Sequence, residues 1–160
     1  MKVLKFGGTS VGSVENMGNV KHIINDGHKK VVVLSAMSGT TNLLVSIAQD
    51  IDAGELNDAI DKINKLHETY FNTIDTLLSD ALLNNDVKNY ISSIFELLVE
   101  CTYKDFSETI ENQILAQGEL LSTYMFNSYL KQEGIRASIL PALNFMRIDA
   151  FKEPDIEYIK

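Results

Sequence analysis

The order of apolar and polar positions predicts a strand, a helix and a second strand at the start of the chain. Residues 2–6 lie in a short apolar run, and residues 29–35 contain a continuous β-branched run without polar alternation. Such a run is typical of a strand that is buried on both faces, as in a parallel sheet. Between the two runs, apolar residues at three- and four-residue spacing predict a helix over residues 13–26. This βαβ unit indicates the α/β class.

Local signals mark both ends of this first helix. Ser13 stands at the N-cap position, where its side chain can accept a hydrogen bond from a backbone N–H group of the first turn. Gly27 suits the left-handed conformation that commonly follows the end of a helix. The stripe of Met17, Val20 and Ile24 between them is therefore predicted to face the core.

The middle of the chain is predicted to be helical. Three apolar stripes at helical spacing predict helices over residues 56–77, 84–98 and 105–115. We interpret residues 56–115 as a helical subdomain that packs over the edge of the sheet. Proline is missing from residues 1–140, so no ring interrupts these helices.

The segments around this region have weaker patterns. One helix is predicted to end at Gly54 and another at Gly134, because glycine adopts the backbone conformation of a helix C-terminus most readily. After Gly134, residues 136–140 and 145–149 are predicted to form short strands. Pro154 is predicted to stand in the first turn of a further helix, where proline is tolerated.

The first predicted strand runs directly into a glycine-rich loop. Gly7 and Gly8 have no Cβ, so phosphate oxygens can approach the backbone N–H groups closely. Thr9 and Ser10 add hydroxyl donors, and Lys5 at the end of the strand adds a positive charge. The segment predicts a phosphate cradle, although its spacing is neither that of a P-loop nor that of a dinucleotide fingerprint. The alternatives are a tight turn that requires glycine and a lysine that extends to solvent.

A second polar loop follows the second predicted strand. Ser35, Ser38, Thr40 and Thr41 lie at the carboxyl end of that strand, the edge where ligands of open α/β sheets bind. Their hydroxyl groups could hold a carboxylate or a phosphate. The alternative, which the residues alone favour, is that Thr41 or Asn42 caps the helix that follows.

Glu119 is the third candidate for ligand binding. A carboxylate near the start of a helix complements the helix dipole, which is a sufficient structural explanation. The functional interpretation is that Glu119 faces the ligand edge and binds an ammonium group, while Gly118 gives the ligand room to approach.

Composition excludes several classes of protein. The chain has 160 residues, 45% of them hydrophobic, which fits one soluble domain, and its net charge of −8 argues against nucleic acid as a partner. Its apolar runs are too short for a membrane span, and we expect a cytoplasmic protein. The single cysteine, Cys101, is predicted to be buried. The histidines are predicted at the surface without the spacing of a metal site, namely His22, His28 and His67.

Three segments together resemble the aspartokinases of the amino-acid kinase superfamily. They are residues 5–12 (KFGGTSVG), residues 33–44 (VLSAMSGTTNLL) and residues 117–122 (QGELLS), and their order and spacing also resemble that family. The resemblance implies a three-layer α/β/α sandwich with a largely parallel sheet. It also implies transfer of a phosphoryl group from ATP, with Mg²⁺, to the side-chain carboxylate of L-aspartate, the first step toward lysine, threonine and methionine.

The resemblance implies a role for each matching residue. Lys5 would stabilise charge on the transferred phosphoryl group. The ATP phosphates would bind along the glycine loop, at Gly7, Gly8, Thr9 and Ser10. Glu119 would bind the ammonium group of aspartate, and Thr41 a carboxylate, with Ser35 close by. No residue is expected to ligate a metal ion directly.

The resemblance also implies how much of an aspartokinase this chain covers. Residues 1–160 would form the N-terminal part of an aspartokinase catalytic domain, without the C-terminal nucleotide-binding half and the ACT domains. The fragment is then expected to be inactive alone, and the full protein to be a homo-oligomer. Two other hypotheses remain: a non-catalytic module that binds a ligand or a partner chain, and a kinase for a different amino acid.

Overall fold

A computed structural model describes residues 1–149, 151 and 153–159. Two parallel strands, β1 (Lys2–Phe6) and β2 (Lys30–Leu34), pair along their whole length, with Lys5 opposite Val33. The helices in this part of the chain are α1 (Val14–Ile24), α2 (Thr40–Ala53), α3 (Leu56–Leu77), α4 (Ala81–Cys101), α5 (Glu108–Leu115) and α6 (Gln117–Gln132). Short 3-10 helices cover Gly8–Val11 and Ala142–Asn144. Since α1 joins β1 to β2, the predicted βαβ unit is confirmed.

The helix boundaries follow from the local signals. The Ser13 side chain accepts a hydrogen bond from the Asn16 N–H group at 3.2 Å, so α1 begins at the predicted cap. Gly54 ends α2 with a φ of 77°, in the left-handed region that favours glycine. The long helices α3 and α4 cover the stripes predicted for them. None of the helices in the described residues is long and apolar enough to span a membrane.

All six helices contribute to one apolar core. Side chains from α1 to α6 form a single buried cluster that includes Cys101, whose predicted burial is confirmed. Leu4 and Val32 on one face of the sheet pack against this cluster. Because successive strand residues point to opposite faces, Val3 and Val33 lie on the other face, where they are 66% and 44% exposed. The prediction that the second strand is buried on both faces is therefore wrong for the described residues.

The predictions for the end of the chain are also wrong. Residues 136–140 form no strand, and the only extended pairing in 145–149 is an isolated antiparallel bridge from Ile148 to Pro154. Pro154 thus lies in a bridge and does not begin a helix. The physical reason is that a strand needs a neighbour to accept its backbone hydrogen bonds. Within the described residues, β1 and β2 pair only with each other.

The prediction that His67 lies at the surface is wrong, because this residue of α3 is partly buried. Its ring lies between the rings of Phe71 and Phe95, with centroid separations of 4.2 and 4.6 Å. The Nε2 atom is buried and has no hydrogen-bond partner in the described part of the chain. Burial disfavours the charged imidazolium, so the pKa of His67 is lowered from its ordinary value of 6.5. His22 and His28 are exposed, as predicted.

This burial predicts that acid destabilises the protein through His67. The unfolded chain binds a proton near pH 6.5, whereas the folded chain resists it, so stability is lost as the pH falls below that value. Urea unfolding at about pH 7.5 and about pH 5.5 should show a smaller difference for His67→Leu than for the parent protein. His22→Gln, at an exposed histidine of α1, is the control and should leave the difference unchanged. Equal differences in all three proteins would contradict the prediction.

Candidate active site

The candidate site lies at the carboxyl ends of β1 and β2. Because the strands are parallel, the loops that follow them meet at one edge of the sheet. A Cβ on Gly8 would lie 2.8 Å from the Ala36 carbonyl oxygen, and a Cβ on Gly12 would lie 2.9 Å from the Ser38 Cβ. Both distances are too short for a side chain. The two loops therefore touch directly, and glycine is required for that contact.

The glycine loop presents several polar groups at this edge. Gly7 is extended and precedes the 3-10 helix, and the first N–H groups of a helix, here those of Gly8 and Thr9, have no partner within it. The N–H group of Ser10 donates to the Gly7 carbonyl at 2.9 Å, so Ser10 offers only its hydroxyl. Lys5 is exposed, and its Nζ atom lies 3.9 Å from where a Cβ on Gly7 would stand. The predicted cradle residues are thus adjacent.

The second loop leads into α2 without a side-chain cap. Gly39 is the N-cap residue with a φ of 85°, and the helix begins at Thr40. The left-handed turn lets the Met37 carbonyl accept the Thr40 N–H group at 3.0 Å, so the backbone closes the turn by itself. The alternative that Thr41 or Asn42 caps the helix is therefore wrong. Thr41 is exposed in the first turn of α2.

The start of α6 is attached to the end of β2 by two hydrogen bonds. The Glu119 Oε1 atom accepts the Ala36 N–H group at 3.3 Å, and the Ser122 hydroxyl donates to the Ser35 carbonyl at 2.9 Å. Glu119 lies in the first turn of α6, where its charge also complements the helix dipole. One carboxylate oxygen is thereby held, while the side chain as a whole is exposed. A positively charged ligand group could reach it from the solvent.

Gly118 has a different role from the predicted one. It is buried, and a Cβ there would lie 2.8 Å from the Ala36 Cβ and 3.3 Å from the Leu44 Cδ1. The missing side chain therefore lets α6 approach the end of β2 and does not make room for a ligand. This packing sets the position of Glu119 against Ala36.

Two residues of the site were not predicted to have a role there. Ser122 is fully buried and forms the hydrogen bond to Ser35. Tyr70 on α3 is also fully buried, and its hydroxyl lies 3.2 Å from the Thr40 Oγ1 atom. The sequence signal for Tyr70 was a polar atom within an otherwise apolar stripe. Burial raises the pKa of Tyr70 to about 12, so its hydroxyl stays protonated at neutral pH.

A magnesium site is not built by these side chains alone. Within residues 1–149, 151 and 153–159, no group of three or more His, Cys, Asp and Glu side chains is placed to hold a metal ion. In nucleotide sites Mg²⁺ is held largely by phosphates and water, with only one or two carboxylates. The described residues fit an anion cradle without a metal-ligand cluster of their own.

Comparison with known proteins relates the chain to one family. The amino acid kinase family matches residues 1–158. Lysine-sensitive aspartokinase 3 of Escherichia coli is 31% identical over 158 residues, which are 96% of this chain and 34% of that protein. Aspartokinase 1 of Arabidopsis thaliana chloroplasts is 31% identical over 161 residues, 96% of this chain and 28% of that protein. This chain thus spans about a third of the length of these curated relatives.

Solved structures of E. coli aspartokinase III have the same fold. The complex with lysine and aspartate superimposes with a TM-score of 0.80 at 27% identity, covering 99% of this chain and 36% of the other. The complex with aspartate and ADP gives a TM-score of 0.78 at 29% identity, with the same coverage. The predicted α/β kinase fold is thereby confirmed.

Proposed function

The chain belongs to the amino acid kinase family, and from this premise we propose that it forms the N-terminal part of an aspartate kinase catalytic domain. The reaction is transfer of the terminal phosphoryl group of ATP to the side-chain carboxylate of L-aspartate, which gives 4-phospho-L-aspartate and ADP. One observation carries the proposal: Ala36 contacts Gly8 of the glycine loop and also donates its N–H group to Glu119. A phosphate cradle and a carboxylate thus share one strand end.

The acceptor would bind through charge and hydroxyl groups. Glu119 is exposed and fixed at one oxygen, so it can bind the ammonium group of L-aspartate. Thr41 stands in the first turn of α2, where the helix dipole favours a carboxylate. Ser35 lies at the end of β2, between the glycine loop and α6. These three residues would orient the side-chain carboxylate of the ligand toward the phosphate cradle.

The donor would bind along the glycine loop. The N–H groups of Gly8 and Thr9 and the Ser10 hydroxyl would donate hydrogen bonds to phosphate oxygens. Lys5, with its ammonium beside Gly7, would stabilise negative charge on the transferred group. Mg²⁺ bound to the nucleotide would offset the charge of the phosphates, since the described side chains form no metal cluster.

Catalysis would then rest on positioning and electrostatics. The aspartate carboxylate is already ionised at neutral pH, so attack on phosphorus needs no general base. A carboxylate oxygen forms the new bond to phosphorus, and the bond to the bridging oxygen of ADP breaks.

Relatives are about three times as long as this chain. We therefore expect turnover to need further segments, including a C-terminal nucleotide-binding half. We also expect the full protein to contain ACT domains and to form homo-oligomers. We also propose a cytoplasmic role in lysine, threonine and methionine synthesis.

The first test is calorimetric titration of the 160-residue protein with L-aspartate, with and without Mg-ATP. We expect heat of binding from L-aspartate and a weaker response to L-glutamate, whose longer side chain misplaces the carboxylate. A preference for another amino acid would favour a different amino acid kinase. No binding of any amino acid would contradict the proposed aspartate site and would favour a non-catalytic module.

The contribution of Lys5 can be measured separately. Lys5→Met removes the ammonium group beside Gly7 and should weaken Mg-ATP binding by about ten-fold or more, because hydrogen bonds to charged groups contribute about 1.5–3 kcal/mol. L-Aspartate binding should change little. Lys2→Met removes the same charge at the far end of β1 and is the matched control. Equal Mg-ATP affinities for the two variants would exclude Lys5 from the phosphate site.

A further inference from the structure

Tyr70 connects the helical region to the second loop of the candidate site. It lies on α3, its side chain is fully buried, and its hydroxyl is 3.2 Å from the hydroxyl of Thr40, which is only 3% exposed. Met37 and Thr40 are the two residues that close the turn before α2. The phenol therefore contacts the last residue of that turn, Thr40, which is also the first residue of α2.

The Tyr70 ring packs against Phe95 in the core, and its buried hydroxyl is hydrogen-bonded to Thr40. Every other buried residue of the α3 stripe is a purely apolar one, namely Ala59, Ile63, Leu66, Ile74 and Leu77. A hydroxyl removed from water is unfavourable unless it is hydrogen-bonded. Its partner is the hydroxyl of Thr40, the first residue of α2, and the N-cap residue Gly39 has no side chain that could hold this turn. Tyr70 thus attaches the start of α2 to α3.

The restrained turn is in contact with the proposed aspartate site. The Thr40 methyl group lies 3.5 Å from where a Cβ on Gly118 would stand, so Thr40 is held between Tyr70 and the start of α6. The next residue after Gly118 is Glu119, whose charge acts on Tyr70. The next residue after Thr40 is Thr41. Movement of Thr40 would therefore shift both groups that are proposed to hold aspartate.

We propose that Tyr70 is a positioning residue, which fixes the turn over residues 36–40 and thereby sets Thr41 and Glu119 for the binding of an amino acid. Its hydroxyl is protonated and enclosed, so it acts only through hydrogen bonds and does not touch the substrate. This inference rests on the proposed function for the identity of the ligand. The restraint on the turn can be measured without any ligand.

The test is Tyr70→Phe in the 160-residue chain, which removes one oxygen and keeps the ring. Amide hydrogen exchange should become about five-fold faster at the N–H groups of Thr40 and Leu43, the fold-change expected for one lost hydrogen bond. Amides in the middle of α4 should not change. L-Aspartate affinity should fall by a similar factor while Mg-ATP affinity stays constant. Tyr90→Phe, which removes a hydroxyl from a tyrosine stacked on Tyr124, is the matched control.

A second variant isolates the contact between the two hydroxyl groups. Thr40→Val removes the other partner with little change in shape, so adding Tyr70→Phe to Thr40→Val should have a smaller effect on exchange than Tyr70→Phe alone. Unchanged exchange at Thr40 and Leu43, or equal acceleration at every amide, would overturn the inference. Faster exchange with undiminished aspartate affinity would also overturn it, because the turn would not control the site. If the parent protein binds no aspartate, the proposed function fails, and exchange alone decides the restraint.

Discussion

Replacing Glu119 with glutamine should weaken L-aspartate binding by about thirty-fold or more. The amide keeps the shape of the side chain and an oxygen that can accept the Ala36 N–H group, so the attachment of α6 to β2 is preserved. It removes the negative charge that would face the ammonium group of the ligand. Hydrogen bonds to charged groups contribute about 1.5–3 kcal/mol, and a loss of about 2 kcal/mol or more within that range corresponds to this loss of affinity.

Calorimetric titration with L-aspartate measures this effect directly. Glu96→Gln makes the same change at an exposed position of α4, away from the strand ends, and should bind L-aspartate like the parent protein. The free energy of unfolding should be similar for both variants, because neither change alters the core. Full affinity in Glu119→Gln would exclude this carboxylate from the aspartate site and leave only its role at the start of α6.

Replacing Gly118 with alanine should destabilise the fold by about 1–3 kcal/mol, the usual cost of inserting an atom into a well-packed region. The new Cβ would stand 2.8 Å from the Ala36 Cβ and 3.3 Å from the Leu44 Cδ1, so α6 must move away from the end of β2. That movement would lengthen the hydrogen bond between Ala36 and Glu119. We therefore expect a loss of aspartate affinity in addition to the loss of stability.

Gly18→Ala is the matched control for this substitution. Gly18 lies inside α1, where the nearest atom to a new Cβ is the Tyr129 hydroxyl oxygen at 3.9 Å. Alanine there should be neutral or stabilising by about 0.5–1 kcal/mol, because glycine is unfavourable within a helix. Urea unfolding of both variants gives the comparison. If Gly118→Ala is as stable as Gly18→Ala, the close approach of α6 to Ala36 does not constrain the fold.

Much of the fold could be predicted from the sequence because its signals are local. The apolar stripe of α1, the cap at Ser13 and the left-handed Gly54 depend on spacing within a few residues. The prediction of a strand at residues 136–140 is wrong, because a strand forms only where a neighbouring strand can pair with it, and the local sequence does not encode that pairing. The prediction that Val33 is buried fails for the same reason. A run of valines does not encode whether another part of the protein covers that face of the sheet, and Val33 is exposed.

The candidate site was predictable only as a set of segments. The residues at the two strand ends, together with Glu119, are adjacent in the structure as their positions suggested. Their individual roles stay predictions, because they come from a resemblance. The burial of Gly118 and the contact of Tyr70 with Thr40 could not be predicted. Both depend on how α3 and α6 meet the end of β2, which spacing along one helix does not encode.

The direct contact between Gly8 and Ala36 divides the site into fixed and adjustable parts. Attempts to redesign the acceptor preference should leave this contact intact, because any side chain at Gly8 would collide with a carbonyl oxygen 2.8 Å away and separate the two loops. Ser38 belongs to the fixed part, because its Cβ lies 2.9 Å from where a Cβ on Gly12 would stand. Thr41 is exposed in the first turn of α2, so it can be varied with little effect on folding. A library confined to Thr41 would sample new ligands on an unchanged scaffold.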